Sequence, residues 1–434
     1  MNFDSLAAWL TFLEARRPEH QMMLGLERAD TVARQLLPAS FFTPERPIKV
    51  ITVAGTNGKG STVAYLSAIL KEAGIRAGAW TSPHLLDYNE RIRIDGEMVS
   101  DDLICDAFTR IEEIRGETFL SYYEFGALAA LDIFVQENVD VILLEVGLGG
   151  RLDAVNIIDA DVSIVTTVDL DHQDWLGDTV EEIAREKAGV FRTGRPAISG
   201  ERFPAQSLLD HIADIQAIRL QNDHEFSLDP VDGEMHFTGR LSNGEMRTVT
   251  GLTVPTLPPV SAACALQALL WLVPDLSDQV LRKGFASASL AGRCQQQTAQ
   301  NSRGETVNII LDVAHNPQAA RYLAGKLEQV GKGTVRAVLG MLNDKDMVGV
   351  IEPLKSSFQH WYVASVGYEA RARSSGDLAA RLQGFDQSVS EHGSVPEALS
   401  IAVDDVVEGD TLVILGSFHT VAESLAYLKQ LPGV

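Results

Sequence analysis

The sequence is short of cysteine, of positive charge and of long apolar runs, and each shortage excludes something. Three cysteines occur in 434 residues: Cys105, Cys264 and Cys294. They are far apart, odd in number and without C-x-x-C spacing, which argues against a disulfide framework and against a zinc site. Buried or incidental thiols are the better reading. Lys and Arg number 36 against 59 Asp and Glu, for a formal net charge of −23. Non-specific nucleic-acid binding needs cations that neutralise phosphates, so nucleic acid is not an expected partner. Any anionic substrate must instead be met by locally placed cations. No apolar run approaches the roughly 18 residues of a membrane span. The stretch Met1-Asn2-Phe3-Asp4-Ser5 has neither the basic nor the apolar region of a signal peptide. A cytoplasmic enzyme without membrane contact is the expectation.

What is present is ordinary in bulk and specific in detail. Apolar residues make up 45% and charged residues 22% of the chain, which fits a soluble globular protein. The length suffices for about two or three domains with sizeable cores. The informative stretch is Val53-Ala54-Gly55-Thr56-Asn57-Gly58-Lys59-Gly60-Ser61. It follows an apolar, β-branched run over 48–53 that reads as a buried strand, and it precedes a helical run over 62–70. A strand, a glycine-rich turn and a helix N-terminus make a phosphate cradle. Glycines let backbone N–H groups approach phosphate oxygens, Lys59 supplies a point charge, and the Ser61 hydroxyl is within reach of a bound Mg²⁺. The spacing departs from the usual P-loop, G-x-x-x-x-G-K-[ST]. Gly60 separates Lys59 from Ser61, and only two residues separate Gly55 from Gly58. The alternative is an ordinary strand-to-helix turn, which the flanking strand and helix disfavour.

Strands alternate with helices along the chain, which predicts a doubly wound parallel sheet. Residues 5–37 read as helical. Strands are expected at 50–54, 78–81, 140–146 and 161–168, and a helix at 124–136. Residues 219–256 are richer in turn residues, consistent with a small antiparallel segment. A second α/β series starts near 295, with strands at 307–311, 335–339, 361–364 and 411–415 and helices at 318–329 and 421–430. The domain boundary is placed around 287–293. The fold expected is α/β: a doubly wound P-loop ATPase domain over 1–290 and a smaller Rossmann-like domain over 291–434.

Polar residues cluster where these strands end, the place where open α/β sheets bind ligands. Glu145 ends one strand. Asp169, Asp171 and His172 follow another. Together they can hold a divalent cation beside the phosphates. Taken singly, Glu145 reads equally as a salt-bridged carboxylate and His172 as a structural histidine; their shared place beside the glycine-rich loop favours function. Lys187, from spacing alone, reads as a solvated helix lysine. Asp312 sits at a strand end ahead of Ala314-His315-Asn316-Pro317, a position suited to ribose hydroxyls. Gly416-Ser417-Phe418-His419 opens the last helix, a ready site for a carboxylate.

With these segments assembled, the chain closely resembles the folylpolyglutamate synthase/dihydrofolate synthase family, ATP-dependent amide ligases related to the Mur ligases. The matching stretches run the length of the chain: 24–28, 55–61, 81–85, 90–93, 144–156, 171–177, 185–191, 312–317, 340–346 and 416–422. The resemblance implies that Gly55, Thr56, Asn57, Gly58, Lys59, Gly60 and Ser61 hold the ATP phosphates. It implies that Ser61, Ser82, Glu145 and His172 bind Mg²⁺, and that Lys187 is carbamylated and holds a second Mg²⁺. The bland reading of Lys187 is thus overturned by resemblance alone. K⁺ is a further cofactor it admits. Lys59, Lys187 and His172 become the catalytic set. Arg293 and Asp312 match nucleotide contacts of the C-terminal domain. Met23, Leu24, Gly25, Leu26, Ser121, Tyr122, Tyr123, Glu124, Leu152, Asp153 and Ala154 resemble a pteroate-binding surface, with the Asp153 carboxylate accepting from the pterin. His315 and Ser417 are candidates for the incoming glutamate.

The implied reaction joins L-glutamate to dihydropteroate and to reduced folates through an acyl phosphate, with ATP between the two domains of a monomer. Two departures stand out. Ser261 occupies a nucleotide-contacting position where the family usually has asparagine, so that contact is expected to be weaker or water-mediated. Ala291-Gly292-Arg293-Cys294 replaces the usual proline-glycine-arginine and apolar residue, but keeps the arginine. The alternatives are a folylpolyglutamate synthase without dihydropteroate activity, a Mur-type peptidoglycan ligase, which the extra Gly60 disfavours, and a P-loop switch without ligase chemistry.

Overall fold

A computed structural model describes residues 3–16, 24–330, 333–367 and 371–430. The chain divides into two compact units, Met1–Ala288 and Ser289–Val434.

The first unit is built on an eight-stranded sheet. Its order is Glu97–Met98, Ile92–Ile94, Ala77–Trp80, Val141–Glu145, Lys49–Ala54, Val162–Val165, Pro196–Ser199 and Ile218–Gln221. The six strands from Ala77–Trp80 onward are parallel, and the two short strands at one edge are antiparallel. The central strand Lys49–Ala54 pairs with Val141–Glu145 on one side and Val162–Val165 on the other. Chain order therefore reverses beside it, which opens a crevice at the carboxyl ends of these three strands. Every residue of Val141–Glu145 is buried, as expected where helices cover both faces of a parallel sheet. The helix Tyr122–Gln136 buries nearly its whole circumference, which explains why it is apolar all round instead of on one stripe. It starts with a capping box in which Ser121 and Glu124 satisfy each other's backbone N–H groups. A separate antiparallel sheet, Ser227–Val231, Glu234–Arg240 and Met246–Leu252, occupies the turn-rich segment.

The second unit carries one six-stranded sheet, in the order Gln295–Gln300, Thr306–Leu311, Thr411–Leu415, Val335–Leu339, His360–Ala364 and Val389–His392. Only its first strand is antiparallel.

Several sequence expectations need correction. The region 5–37 is not one helix: Leu6–Arg16 and Glu27–Leu36 are separate, with Gly25 between them at φ 137°, a conformation that a helix does not contain. The strand expected over 161–168 stops at Val165, because Thr166 and Thr167 turn to serve the glycine-rich loop. The edge strands Gln295–Gln300 and Val389–His392 were not foreseen. Both are polar, and edge strands need no apolar run.

Candidate functional site

The glycine-rich loop joins Lys49–Ala54 to the helix Lys59–Glu72. Lys59, Gly60 and Ser61 already belong to the helix, so the turn proper is 55–58. Gly55 has φ 148°, and a Cβ there would sit 1.9 Å from Thr166 Oγ1. No other residue fits this position without moving the neighbouring strand end. Hydroxyls fix the turn. Thr166 Oγ1 donates to Asn57 O at 2.6 Å, Thr167 Oγ1 accepts from Asn57 N at 3.1 Å, and Ser261 Oγ donates to Gly58 O at 3.1 Å. Thr56 exchanges hydrogen bonds with the backbone of Asp169. Of these partners, sequence reasoning assigned Ser261 to the nucleotide and missed Thr166 and Thr167. Their only signal was a threonine pair closing a β-branched strand.

Gly55, Thr56, Lys59, Val146, Gly147, Leu148, Gly149, Asp171, His172 and Lys187 line one cavity. The Lys59 ammonium donates to Gly55 O at 3.0 Å and Thr56 O at 3.2 Å, so it is curled over the turn. Lys187 lies near the end of helix Val180–Ala188 and is 4% exposed. It is not the solvated lysine its spacing indicates. Burial, then the charge of Lys59, push its pKa down to about 7 against the opposing pull of Asp171. Its amine therefore gives up its proton far more readily than a solvated lysine does. His172 adopts φ 52° as the residue before the short helix Gln173–Leu176, with Nε2 3.8 Å from Asp171 Oδ2. Glu145 is 6% exposed and accepts from Ser82 N at 3.2 Å.

The residues fit a hard divalent cation. Glu145 ends its strand, Ser82 follows the neighbouring strand and donates its N–H to the Glu145 carboxylate, and Ser61 lies in the first turn of the helix Lys59–Glu72. Among the described residues, no group of three or more His, Cys, Asp or Glu forms a metal centre unaided. That composition suits Mg²⁺, which takes one or two carboxylates and completes its octahedron with water and substrate phosphates.

The segments expected to hold a pteroate come together, except Met23, which lies outside the described residues. Gly25 N donates to Leu152 O at 3.1 Å, beside Leu24 and Leu26. Arg28 Nη2 reaches the buried carboxylate of Glu124 at 2.9 Å. Tyr123 OH meets Asp153 Oδ1 at 3.1 Å, while Tyr122 and Ala154 are buried. Asp153 is more heavily engaged than its sequence role implies. Its oxygens also accept from Gly147 N, Leu148 N and Val155 N at 2.9–3.0 Å. Burial still lifts its pKa to about 6, with these hydrogen bonds opposing the rise. Asp153 and Tyr123 thereby hold the 147–148 turn that walls the cavity.

In the second unit, Asp312 accepts from Cys294 N and Ala314 N, both at 2.8 Å, and from Cys294 Sγ at 3.3 Å. The Arg293 guanidinium lies 4.9 Å from the centre of the Phe418 ring. Ser417 caps the helix Phe418–Leu428 by accepting from Thr420 N at 3.0 Å. His315 Nδ1 is 2.9 Å from Val313 O, and as a carbonyl only accepts, that nitrogen carries the proton.

Residues 53–198 match the Mur ligase middle domain, and residues 292–418 match the Mur ligase, glutamate ligase domain. A dihydrofolate synthase/folylpolyglutamate synthase of Escherichia coli is 41% identical over 421 residues, covering 96% of this chain and 94% of its own. The chain belongs to the dihydrofolate synthase/folylpolyglutamate synthase family. Solved family members share its fold. The structure of E. coli FolC in complex with DHPP and ADP superposes with a TM-score of 0.89 at 40% identity, covering 98% of both chains. The Yersinia pestis enzyme complexed with AMPPNP and Mn ion gives 0.88 at 44% identity, again over 98% of both. A nucleotide with a divalent metal in that relative agrees with the donor set around Glu145. No helix among the described residues is long and apolar enough to cross a membrane.

Proposed function

We propose that the chain is an ATP-dependent amide ligase that adds L-glutamate to dihydropteroate, giving dihydrofolate, and to reduced folates, giving polyglutamates. The convergence of the 55–58 turn, Lys59, His172 and Lys187 on one cavity carries the reading. The names of the relatives supply the substrates.

The backbone N–H groups at the start of helix Lys59–Glu72 cradle the ATP phosphates, and Lys59 exchanges its loop carbonyls for phosphate oxygens. A carboxylate oxygen of the folate substrate attacks the γ-phosphorus, ADP departs, and an acyl phosphate forms. The α-amine of glutamate then attacks the acyl carbon, inorganic phosphate leaves, and the amide remains. Ser61, Ser82, Glu145 and His172 would hold a divalent cation, which would supply charge neutralisation for the phosphoryl group. The 147–148 turn, fixed by Tyr123 and Asp153, would limit water near an intermediate that water hydrolyses. Leu24, Gly25, Leu26, Ser121, Glu124, Leu152 and Ala154 line the pteroate surface. In the second unit, Arg293 and Asp312 are the proposed nucleotide contacts, and His315 and Ser417 the proposed glutamate contacts.

Lys187 adds CO₂ to its neutral amine, forming a carbamate and releasing a proton. The depressed pKa supplies the unprotonated amine that this addition requires. The carbamate would replace an amine that burial discourages from charging with an anion suited to a second Mg²⁺. K⁺ as an additional cofactor, a monomeric state and a cytoplasmic location complete the reading.

The decisive assay measures phosphate release from ATP with L-glutamate, supplying dihydropteroate in one reaction and tetrahydrofolate in another. Release with both, and amide products of the right mass, is expected. Release with tetrahydrofolate alone leaves a polyglutamate synthase. Release that ignores folate and glutamate would sink the ligase reading.

A further inference from the structure

We infer that Ser261 is a positioning residue of the phosphate loop, acting on bound nucleotide through the carbonyl of Gly58 instead of touching the nucleotide itself. The inference rests on the reading of this loop as the ATP site.

Ser261 lies in the first turn of the helix Pro259–Leu272 and is fully buried. Its hydroxyl donates to Gly58 O at 3.1 Å, across 203 residues of chain. The approach is close: a Cβ on Gly58, whose φ is 86°, would lie 2.6 Å from Ser261 Oγ. The same carbonyl accepts from Thr62 N and Thr62 Oγ1, each at 2.9 Å. Those two donors come from the helix the loop itself starts. Ser261 is the donor that ties this carbonyl to a different part of the fold. Thr166 and Thr167 grip the preceding peptide from the strand end. In a trans peptide the C=O and the following N–H point in opposite directions. Holding Asn57 O and Gly58 O toward Thr166 and Ser261 turns the N–H groups of Gly58 and Lys59 the other way, as an anion cradle requires. A hydroxyl already committed to a backbone carbonyl, on a side chain with no exposed surface, is placed to orient the loop and not to read a base.

The test is Ser261→Ala, with Mg·ADP binding measured by calorimetry and kcat/KM measured for ATP and for GTP. The Mg·ADP dissociation constant and the KM for ATP should each rise about three- to tenfold, the worth of one neutral hydrogen bond. The ATP-to-GTP preference should stay as in the parent. Ser261→Thr, which keeps the hydroxyl, should retain affinity if it folds, and Ser261→Ala combined with Thr166→Val should lose less than the sum of the single losses, because both grip one loop. Affinities within twofold of the parent in Ser261→Ala would overturn the inference. So would a tenfold change in the ATP-to-GTP ratio, which marks direct contact with the base. A parent enzyme that binds no Mg·ADP would remove the nucleotide reading, and this inference with it.

Discussion

The two units place chemistry at the same address, the carboxyl ends of parallel strands, and use it differently. In the first unit the polar groups are held in costly states. Lys187 is a buried amine with its pKa pushed down to about 7, and Asp153 a buried carboxyl lifted to about 6. Lys59 rests on carbonyls that a phosphate can displace. In the second unit Asp312 is likewise a buried carboxyl whose pKa burial raises, engaged by the 294 and 314 amides, while Ser417 is held by Thr420 and His315 by Val313. Perturbed groups gathered around a cavity mark where charge moves. Satisfied caps and turns mark where shape is kept. What sets the first unit apart is the pair Lys59 and Lys187 on one cavity, and that pair supports the proposal that phosphoryl chemistry belongs there.

The largest effect should come from Lys59→Ala. Turnover should fall on the order of 10²- to 10³-fold or more, as when one preorganised charge donor is removed, with the thermal midpoint close to the parent's. Near-normal turnover in the folded variant would erase the contrast between the units.

Lys187→Met tests the buried amine through its pH dependence. The folded pKa lies below the unfolded value, so between about 7 and 10.5 the unfolded chain binds the extra proton. The unmodified lysine therefore destabilises fully below pH 7, and the penalty fades as pH rises toward 10.5. In CO₂-free buffer, the stability gained by Lys187→Met should be greatest near pH 7 and shrink toward pH 10. Bicarbonate should raise the activity of the parent and leave the variant unchanged. A pH-independent difference would mean that Lys187 is not a buried cation.

Asp153→Ala strips acceptors from the Gly147, Leu148 and Val155 amides. A cost of about 1–3 kcal/mol in unfolding free energy is expected for buried donors left unsatisfied, together with a loss of turnover. A stable variant defective only with dihydropteroate would instead make Asp153 a pterin reader. The smallest effect is assigned to the second unit. Ser417→Ala should cost about 1 kcal/mol, the usual worth of an N-cap, measurable by chemical denaturation. A rise in glutamate KM much beyond tenfold, without loss of stability, would show the second unit's helix end to be as chemical as the first unit's loop.

Much of this was legible beforehand, and the failures have physical reasons. The central strands 50–54 and 140–146 were evident because a strand buried on both faces is continuously apolar. Gln295–Gln300 and Val389–His392 escaped because a sheet edge does not require that pattern. Lys187 was misread from spacing because helical periodicity gives the face of a side chain and not what packs over it.

The sequence by itself determined the family, the alternation of strands and helices, and the glycine-rich turn between strand and helix, since glycine position and apolar runs are local properties. Only the tertiary structure decided that Ser261 grips Gly58, that Asp153 staples the cavity wall and that Lys187 is buried beside Lys59. These depend on contacts between residues far apart in the chain, and burial sets a pKa only after the fold has closed around the group.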